Sequence, residues 1–241
     1  MSPHSPQPFL HTTPPEALGK LIHKSVPVGN RCFDIDYPGD ADKLLDHPST
    51  HEAFKADDYM PYWAELWPSA QMLGEALLAA ANDADWPVPA QPTDPIHRTA
   101  LEIGCGVGLS GIVALSMGLH VIFSDYDATA VEFAARNAQR NGFDDFETLP
   151  LDWRVPPDFQ VPLILAADVI YEERNIEPLI ALIKVVLAPS GVCVLSDPDR
   201  STRGGFRYAL KQAGCKVTQT KMTAPGPGGR EVTGTVYFIR W

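Results

Sequence analysis

Five carboxylates recur between residues 102 and 197, Glu102, Asp125, Asp152, Asp168 and Asp197, each at or beside the end of a short apolar stretch. Between Glu102 and Asp125, the segment EIGCGVGLSG sets Gly104, Gly106 and Gly108 at alternate positions. Glycines so placed let the backbone turn sharply and come close to a ligand that a Cβ would hold off. A carboxylate at a strand end can accept both hydroxyls of a ribose, and several together suit positive charge. Further upstream, residues 60–70 read MPYWAELWPSA and gather Tyr62, Trp63 and Trp67 between two prolines. Aromatic faces of this density serve flat or cationic groups. The chemistry common to these residue types is the binding of a nucleoside-containing cation. One acid alone reads equally well as a helix cap, so the inference rests on the set.

The elements that must position these residues alternate. TALEIG, LHVIFSD, the weaker FETLPLDW, PLILAAD and GVCVLSD read as strands, and the near-continuous apolar run PLILAAD suits a parallel strand covered on both faces. Helical patterns follow them in GLSGIVALSMG, DATAVEFAARNAQRNG, NIEPLIALIKVVLA and RGGFRYALKQAG. Asp127 is placed to cap the second of these and Gly142 to stop it. The tail CKVTQTKM…VTGTVYFIRW gives two strands joined by the loop TAPGPGGRE, hence an antiparallel pair. The expected fold is α/β: a Rossmann-like, doubly wound, mostly parallel seven-stranded sheet with an antiparallel C-terminal strand pair and an N-terminal extension. Ligands of such sheets sit beyond the carboxyl ends of the strands, where all five acids fall.

Residues 1–15 read as a disordered tail and 16–98 as the extension carrying the aromatic segment. Residues 99–241 read as the core of what is expected to be one structural domain. Within the extension, Leu21–Asp36 predicts a hairpin around Gly29-Asn30, and Ser69 is placed to cap a helix whose buried face is Met72, Leu73, Ala76, Leu77 and Ala80. Residues 82–98, with four prolines, read as a loop.

Bulk composition narrows the function classes. A formal charge of −11 with no basic run disfavours a nucleic-acid partner, whose phosphates need clustered Lys and Arg. The acidity is compatible with a small cation or a lysine-bearing protein. No apolar stretch is long enough to span a bilayer, so no membrane partner is expected. The opening residues lack the pattern of a signal peptide, and the four cysteines contain no C-x-x-C pair, which together predict a reduced, cytoplasmic setting. A monomer is expected by default. His47 and His51 lack an H-E-x-x-H context and no metal site is read; GVGLSGI does not fit a serine nucleophile elbow.

A nicotinamide dinucleotide would want G-x-G-x-x-G, whereas Leu109 stands at the third glycine's place and Glu102 precedes the first glycine by two residues. A carboxylate there repels a pyrophosphate and suits an ammonium-bearing ligand. S-adenosylmethionine carries an ammonium and a sulfonium. Asp152 and Trp153 could hold its adenine through a polar contact and a ring face.

LEIGCGVGLSG, SDYDATAVEFAARNAQRNG and LDW resemble the successive cofactor motifs of class I S-adenosylmethionine-dependent methyltransferases over residues 99–200. PYWAELWPSA and ADVIY narrow the resemblance to the seven-strand protein-lysine methyltransferases of non-histone proteins, which carry an aromatic-Trp-Pro segment and a D-x-x-Y motif. DPDR at 197–200 resembles the D-P-x-R segment of the branch acting on the electron-transfer flavoprotein beta subunit, with Asp199 where glycine is usual. The fourth strand lacks the Asn-Pro-Pro-aromatic motif of adenine-N6 and glutamine-amide methyltransferases.

The resemblance implies cofactor contacts from Trp67, Glu102, Gly104, Gly106, Gly108, Asp125 and Tyr126, and further on from Asp152, Trp153 and Ala167. It implies Asp168 as the carboxylate that orients the amine or receives its proton through water, with Tyr171 lining the lysine channel. Trp63, Asp197 and Arg200 are expected on the substrate side, although Trp63 equally reads as a ring pinning the N-terminal segment onto the sheet. A small-molecule amine as acceptor, a cofactor-binding protein without catalysis and a nicotinamide-dependent oxidoreductase stay open as alternatives.

Overall fold

The computed structural model describes residues 10–81, 86 and 98–241. The predicted loop over 82–98 therefore lies outside the described residues except at Trp86 and Arg98, as does the predicted tail over residues 1–9. Residues 10–15 depart from the disordered reading. His11 makes a parallel bridge to Asp127, and Thr13 is buried against the same residue. Prolines kept this stretch from reading as an element, yet its backbone finds partners in the core.

An antiparallel hairpin, β1 (Leu21–Val28) and β2 (Arg31–Pro38), turns at Gly29-Asn30 as the sequence predicts. Short helices α1 (Ala41–Leu45) and α2 (Pro48–Asp57) follow, then a single 3-10 turn, Tyr62–Ala64, inside the aromatic segment. Helix α3 (Pro68–Ala80) starts one residue before the predicted cap. Pro68 takes the first helical position, where its missing N–H costs nothing, and Trp67 stands in the capping place. Ser69 is inside the helix, its hydroxyl buried and without a partner. The five residues expected on the buried face of α3 are all buried.

The main sheet is built from β3 (Thr99–Ile103), β4 (His120–Asp125), β5 (Phe146–Pro150), β6 (Val161–Ala167), β7 (Leu187–Asp197), β8 (Lys216–Pro225) and β9 (Glu231–Arg240). Their spatial order is β5-β4-β3-β6-β7-β9-β8, with β3 to β7 parallel and β9 antiparallel to both neighbours. This is the mostly parallel seven-stranded sheet expected, with its antiparallel C-terminal pair. Helices α4 (Leu109–Ser116), α5 (Ala128–Arg140), α6 (Ile176–Val186) and α7 (Arg203–Gln212) complete it. The sequence extended the apolar run of α6 to residue 188, but the chain has already turned into β7 at Leu187.

Alternation along each strand sorts the core into two layers. Ala100, Val121, Leu163 and Val194 pack under α3, α4 and α5, whereas Leu101, Ile103, Ile164 and Leu195 pack under α6 and α7. Glu102 falls on the α3–α5 side, a carboxylate at an apolar register. Helix α5 also seats the hairpin: Asn137 and Asn141, one turn apart, each accept and donate a hydrogen bond to the backbone of Asp36 and Asp34 at 2.8–3.0 Å. Two side-chain amides thus imitate a neighbouring strand.

Candidate active site

At the carboxyl ends of β3, β4 and β6 lies a cavity of about 340 Å³, walled by the glycine loop, the aromatic segment and the turns after β5 and β6. The loop after β3 runs left-handed at Gly104, Gly106 and Gly108, a conformation that favours glycine. A Cβ on Gly104 would come within 2.9 Å of Val169, and one on Gly106 within 3.2 Å of the Trp63 carbonyl oxygen. Gly108 differs from the other two. It does not line the cavity, and a Cβ there would strike Ala134 at 2.7 Å, so this glycine seats α5 against the loop. Gly108 has a packing duty in addition to its place in the glycine loop.

Two buried acids face the cavity. Glu102 Oε2 accepts the Gly111 N–H at 3.1 Å, and burial pushes its carboxyl up to about 8. Asp125 accepts N–H groups of Gly106 at 3.0 Å and Asp127 at 3.1 Å, and burial pushes it up to about 6 against these donors. Cys105 sits between them, its thiol lifted well above its ordinary range by burial, which removes nucleophilic character.

The aromatic segment is tied down by Asp127, a residue the sequence singled out only as the cap of α5. Its carboxylate does accept the Thr129 N–H at 2.8 Å. It also accepts Trp63 Nε1–H at 2.9 Å, the Thr13 hydroxyl at 2.5 Å, the Thr13 N–H at 3.3 Å and the Tyr59 hydroxyl. Trp63 is buried, with its ring 5.3 Å from that of Phe133. It therefore pins the segment, the second of its two readings, and it also lines the cavity. Trp67 is free of this network; its indole N–H donates to the Tyr62 carbonyl at 2.7 Å and its ring lines the cavity.

Asp152, Trp153 and Tyr126 lie in the same wall. Asp152 does not present a free carboxylate, because Arg154 occupies both oxygens at 2.8–3.0 Å. Arg154 spans the mouth to Asp57 at 2.7 and 2.8 Å, and holds the Asp57 carboxyl below its usual range. Tyr126 donates to the same Asp57 at 2.5 Å. The Trp153 side chain lines the cavity, while its indole N–H is buried with no hydrogen-bond partner among the described residues. The glycine cradle, the two buried acids and the Trp153 ring fit S-adenosylmethionine: a nucleoside to fill the cradle and a cation to meet the carboxylates.

Ala167 and Asp168 close the far wall. Asp168 adopts a left-handed backbone (φ 57°) and is fixed by its N–H to the Ser196 carbonyl at 2.8 Å. Its carboxylate makes a bidentate pair with Arg200, Nε to Oδ1 at 2.6 Å and Nη2 to Oδ2 at 2.9 Å. Beyond it opens a smaller chamber of about 170 Å³ lined by Tyr62, Trp67, Asp168, Tyr171, Glu172 and Arg200. Tyr171 meets Tyr62 edge to face at 5.0 Å, and burial raises its phenol. Arg200 thus lines the chamber. Asp197 does not line either cavity. It is fully buried, accepts the Arg200 backbone N–H at 2.9 Å, and is pushed up to about 6 by burial.

Residues missed from the sequence are Thr13, Tyr59, Arg154, Glu172 and Arg174. Only Arg154, directly after Asp152-Trp153, carried a local signal.

This fold and pocket define the class I S-adenosylmethionine-dependent methyltransferase architecture. A crystal structure of magnesium protoporphyrin IX methyltransferase from Synechocystis PCC 6803 with bound S-adenosylmethionine superposes with a TM-score of 0.55 at 16% identity, over 71% of this chain and 79% of that one. That likeness concerns the fold. Ribosomal protein L11 methyltransferase of Aeromonas hydrophila is 31% identical over 138 residues, 54% of this chain and 47% of that protein. Its counterpart from Photobacterium profundum is 35% identical over 121 residues, 48% and 41% of the two chains. The chain spans about half the length of these curated relatives or less. A family model described as lysine methyltransferase matches residues 57–206, from the end of α2 through Arg200 into α7, and the chain belongs to that family.

Proposed function

We propose that the chain catalyses methyl transfer from S-adenosylmethionine to the side-chain amine of a protein lysine. The observation that carries this reading is the Asp168-x-x-Tyr171 turn, which lies in a wall common to the cofactor-sized cavity and the smaller aromatic chamber. When bound, S-adenosylmethionine supplies a sulfonium methyl group that an amine lone pair takes in one displacement, the C–S electron pair leaving on sulfur. The residues of the chain then have three tasks. Gly104, Gly106, Asp125 and Trp153 hold the nucleoside end. Tyr62, Trp67 and Tyr171 flank the acceptor's methylene chain and exclude water. Asp168 accepts an amine N–H, orients the lone pair, and passes the released proton to water. Positioning of this kind supplies much of the rate in a displacement needing no further chemistry.

The substrate protein is a finer question. Relatives are named for ribosomal protein L11, and the DPDR segment resembles the branch acting on the electron-transfer flavoprotein beta subunit. Both are candidate acceptors, and a small amine is the alternative. A monomer working in the cytoplasm, with neither nucleic acid nor membrane as partner, completes the proposal; four unpaired cysteines support the reduced setting. Among the described residues no helix is long and apolar enough to cross a membrane.

The test is incorporation of labelled methyl from S-adenosylmethionine into a matched cell extract and into purified ribosomal protein L11. A discrete labelled protein yielding methyl-lysine on hydrolysis is expected. Asp168→Ala should lower the rate by about a hundredfold, the usual scale of a positioned acid–base group. Cofactor binding with label only in small amines would move the acceptor from protein to metabolite.

A further inference from the structure

The carboxylates around the two cavities differ in what meets them, Asp168 and Glu172 lying in the wall that both share. In the larger, Glu102 and Asp125 are met by backbone N–H groups, and no arginine or lysine pairs with either among the described residues. In the smaller, both carboxylates are paired. Asp168 holds Arg200 in a two-point clamp, and Glu172 holds Arg174, which also reaches Asp58 at 2.9 Å. The Arg200 guanidinium lies 5.4 Å from the Trp67 ring centroid, so it belongs to the chamber wall.

Arg200 is also built in place. Asp197 Oδ1 takes its backbone N–H at 2.9 Å. The preceding residue, Asp199, is left-handed (φ 60°) and is bonded to Thr235 at 2.7 Å, Arg203 at 3.1 Å and Lys221. The loop that delivers Arg200 is thereby anchored to α7, β8 and β9.

We propose that Arg200 is a positioning residue that keeps the acceptor chamber electrically neutral, so that Asp168 holds the incoming lysine as free amine rather than as ammonium. This deepens the proposed lysine methylation and rests on it. An ammonium has no lone pair to donate, and an unpaired carboxylate beside it would stabilise that dead form. Clamped by Arg200, Asp168 contributes little net charge, yet each oxygen retains a lone pair that can accept an amine N–H. Of the groups around it, Glu172 and Asp199 are met by cations, and Glu65 and Asp197, which form no ion pair among the described residues, are pushed toward the neutral form by burial. Tyr171 and Glu172 with Arg174 come from the turn after β6. Tyr62, with Glu65 farther along the same segment, comes from before α3. Asp197 and Asp199 come from the turn after β7, the latter already paired with Lys221 and Arg203. The cation is left to the larger cavity and the neutral nucleophile to the smaller.

The test is the pH profile of kcat, which reports protonation within the enzyme–substrate complex. Wild type, Arg200→Gln and Arg200→Lys would be compared on the protein labelled in the extract experiment and on n-butylamine, with S-adenosylmethionine binding and circular dichroism as checks on folding. For Arg200→Gln the acid limb should move alkaline by about one unit or more, so that the rate at pH 7 falls about tenfold and recovers near pH 10. Arg200→Lys should keep the wild-type limb. A loss equal at every pH would assign Arg200 a structural role and overturn the proposal. A faster Gln variant at pH 7 would make Arg200 a competitor of lysine, which also overturns it. If Arg200→Gln does not fold, Asp168→Asn leaves the guanidinium unpaired, and its residual rate should show the limb displaced toward acid; an unmoved limb contradicts the idea. A wild type that binds cofactor but methylates neither acceptor between pH 7 and pH 10 removes the methyltransferase reading itself, and the present inference with it.

Discussion

At the scale of single residues, the buried acids of the cofactor cavity make a measurable demand on pH. Burial raises Asp125 from its ordinary 3.8 to about 6 and Glu102 from 4.5 to about 8. The folded chain therefore holds protons that the unfolded chain has released. The stability that these groups contribute is full below their ordinary values, and is lost as pH climbs through about 6 for Asp125 and about 8 for Glu102. A cationic ligand reverses the preference, because it favours the charged carboxylates and so drives protons off. S-adenosylmethionine affinity should accordingly rise about fivefold from pH 5 to pH 6 and release protons on binding, read by calorimetry in buffers of different ionisation enthalpy. Asp125→Asn should flatten that part of the curve, and a pH-independent affinity would show that the ligand does not bind the ionised Asp125. Asp125 and Asp168 were legible because each ends an apolar run. The occupation of Asp168 by Arg200 was not, since an ion pair between residues 32 apart leaves no pattern in sequence.

At the scale of elements, the start of α5 has two duties. Its cap, Asp127, anchors Thr13, Tyr59 and Trp63 as well as its own Thr129 N–H. Asp127→Ala strands several buried donors and removes a cap, so unfolding in urea should show a loss of about 3 kcal/mol or more. Protease should then nick the chain between residues 10 and 18 while α5 and the sheet persist; a loss below about 1 kcal/mol would mean that the donors find other partners. Helices and strands of the core were readable from period, cap and stop, as Asp127 and Gly142 show. Element ends were less so: proline displaced the cap of α3, and β7 began four residues before the predicted strand. The docking of residues 10–15 had no signal, because its partners lie 46 to 116 residues away.

At the scale of the whole molecule, the larger cavity is assembled from three stretches far apart in sequence, around residues 57–70, 102–126 and 151–178. A ligand there binds only the folded chain and must stabilise it. At a hundred times its dissociation constant the gain is about 2.7 kcal/mol, which raises the melting temperature by roughly 5–10 °C for a chain of this size. Scanning calorimetry should find this shift with S-adenosylmethionine and none with a nicotinamide dinucleotide, whose pyrophosphate meets Glu102. An equal shift with both would return the oxidoreductase alternative.

Tyr62, Trp67, Asp168, Tyr171 and Glu172 border both cavities. Donor and acceptor recognition are thus written into one partition, and neither can drift independently over generations. A lineage that changes its target protein has freedom chiefly on the outer rim and at the loop bearing Arg200. For a chemist the same partition is an opening: one compound with an adenosine head and a neutral amine tail would occupy both rooms through a single doorway.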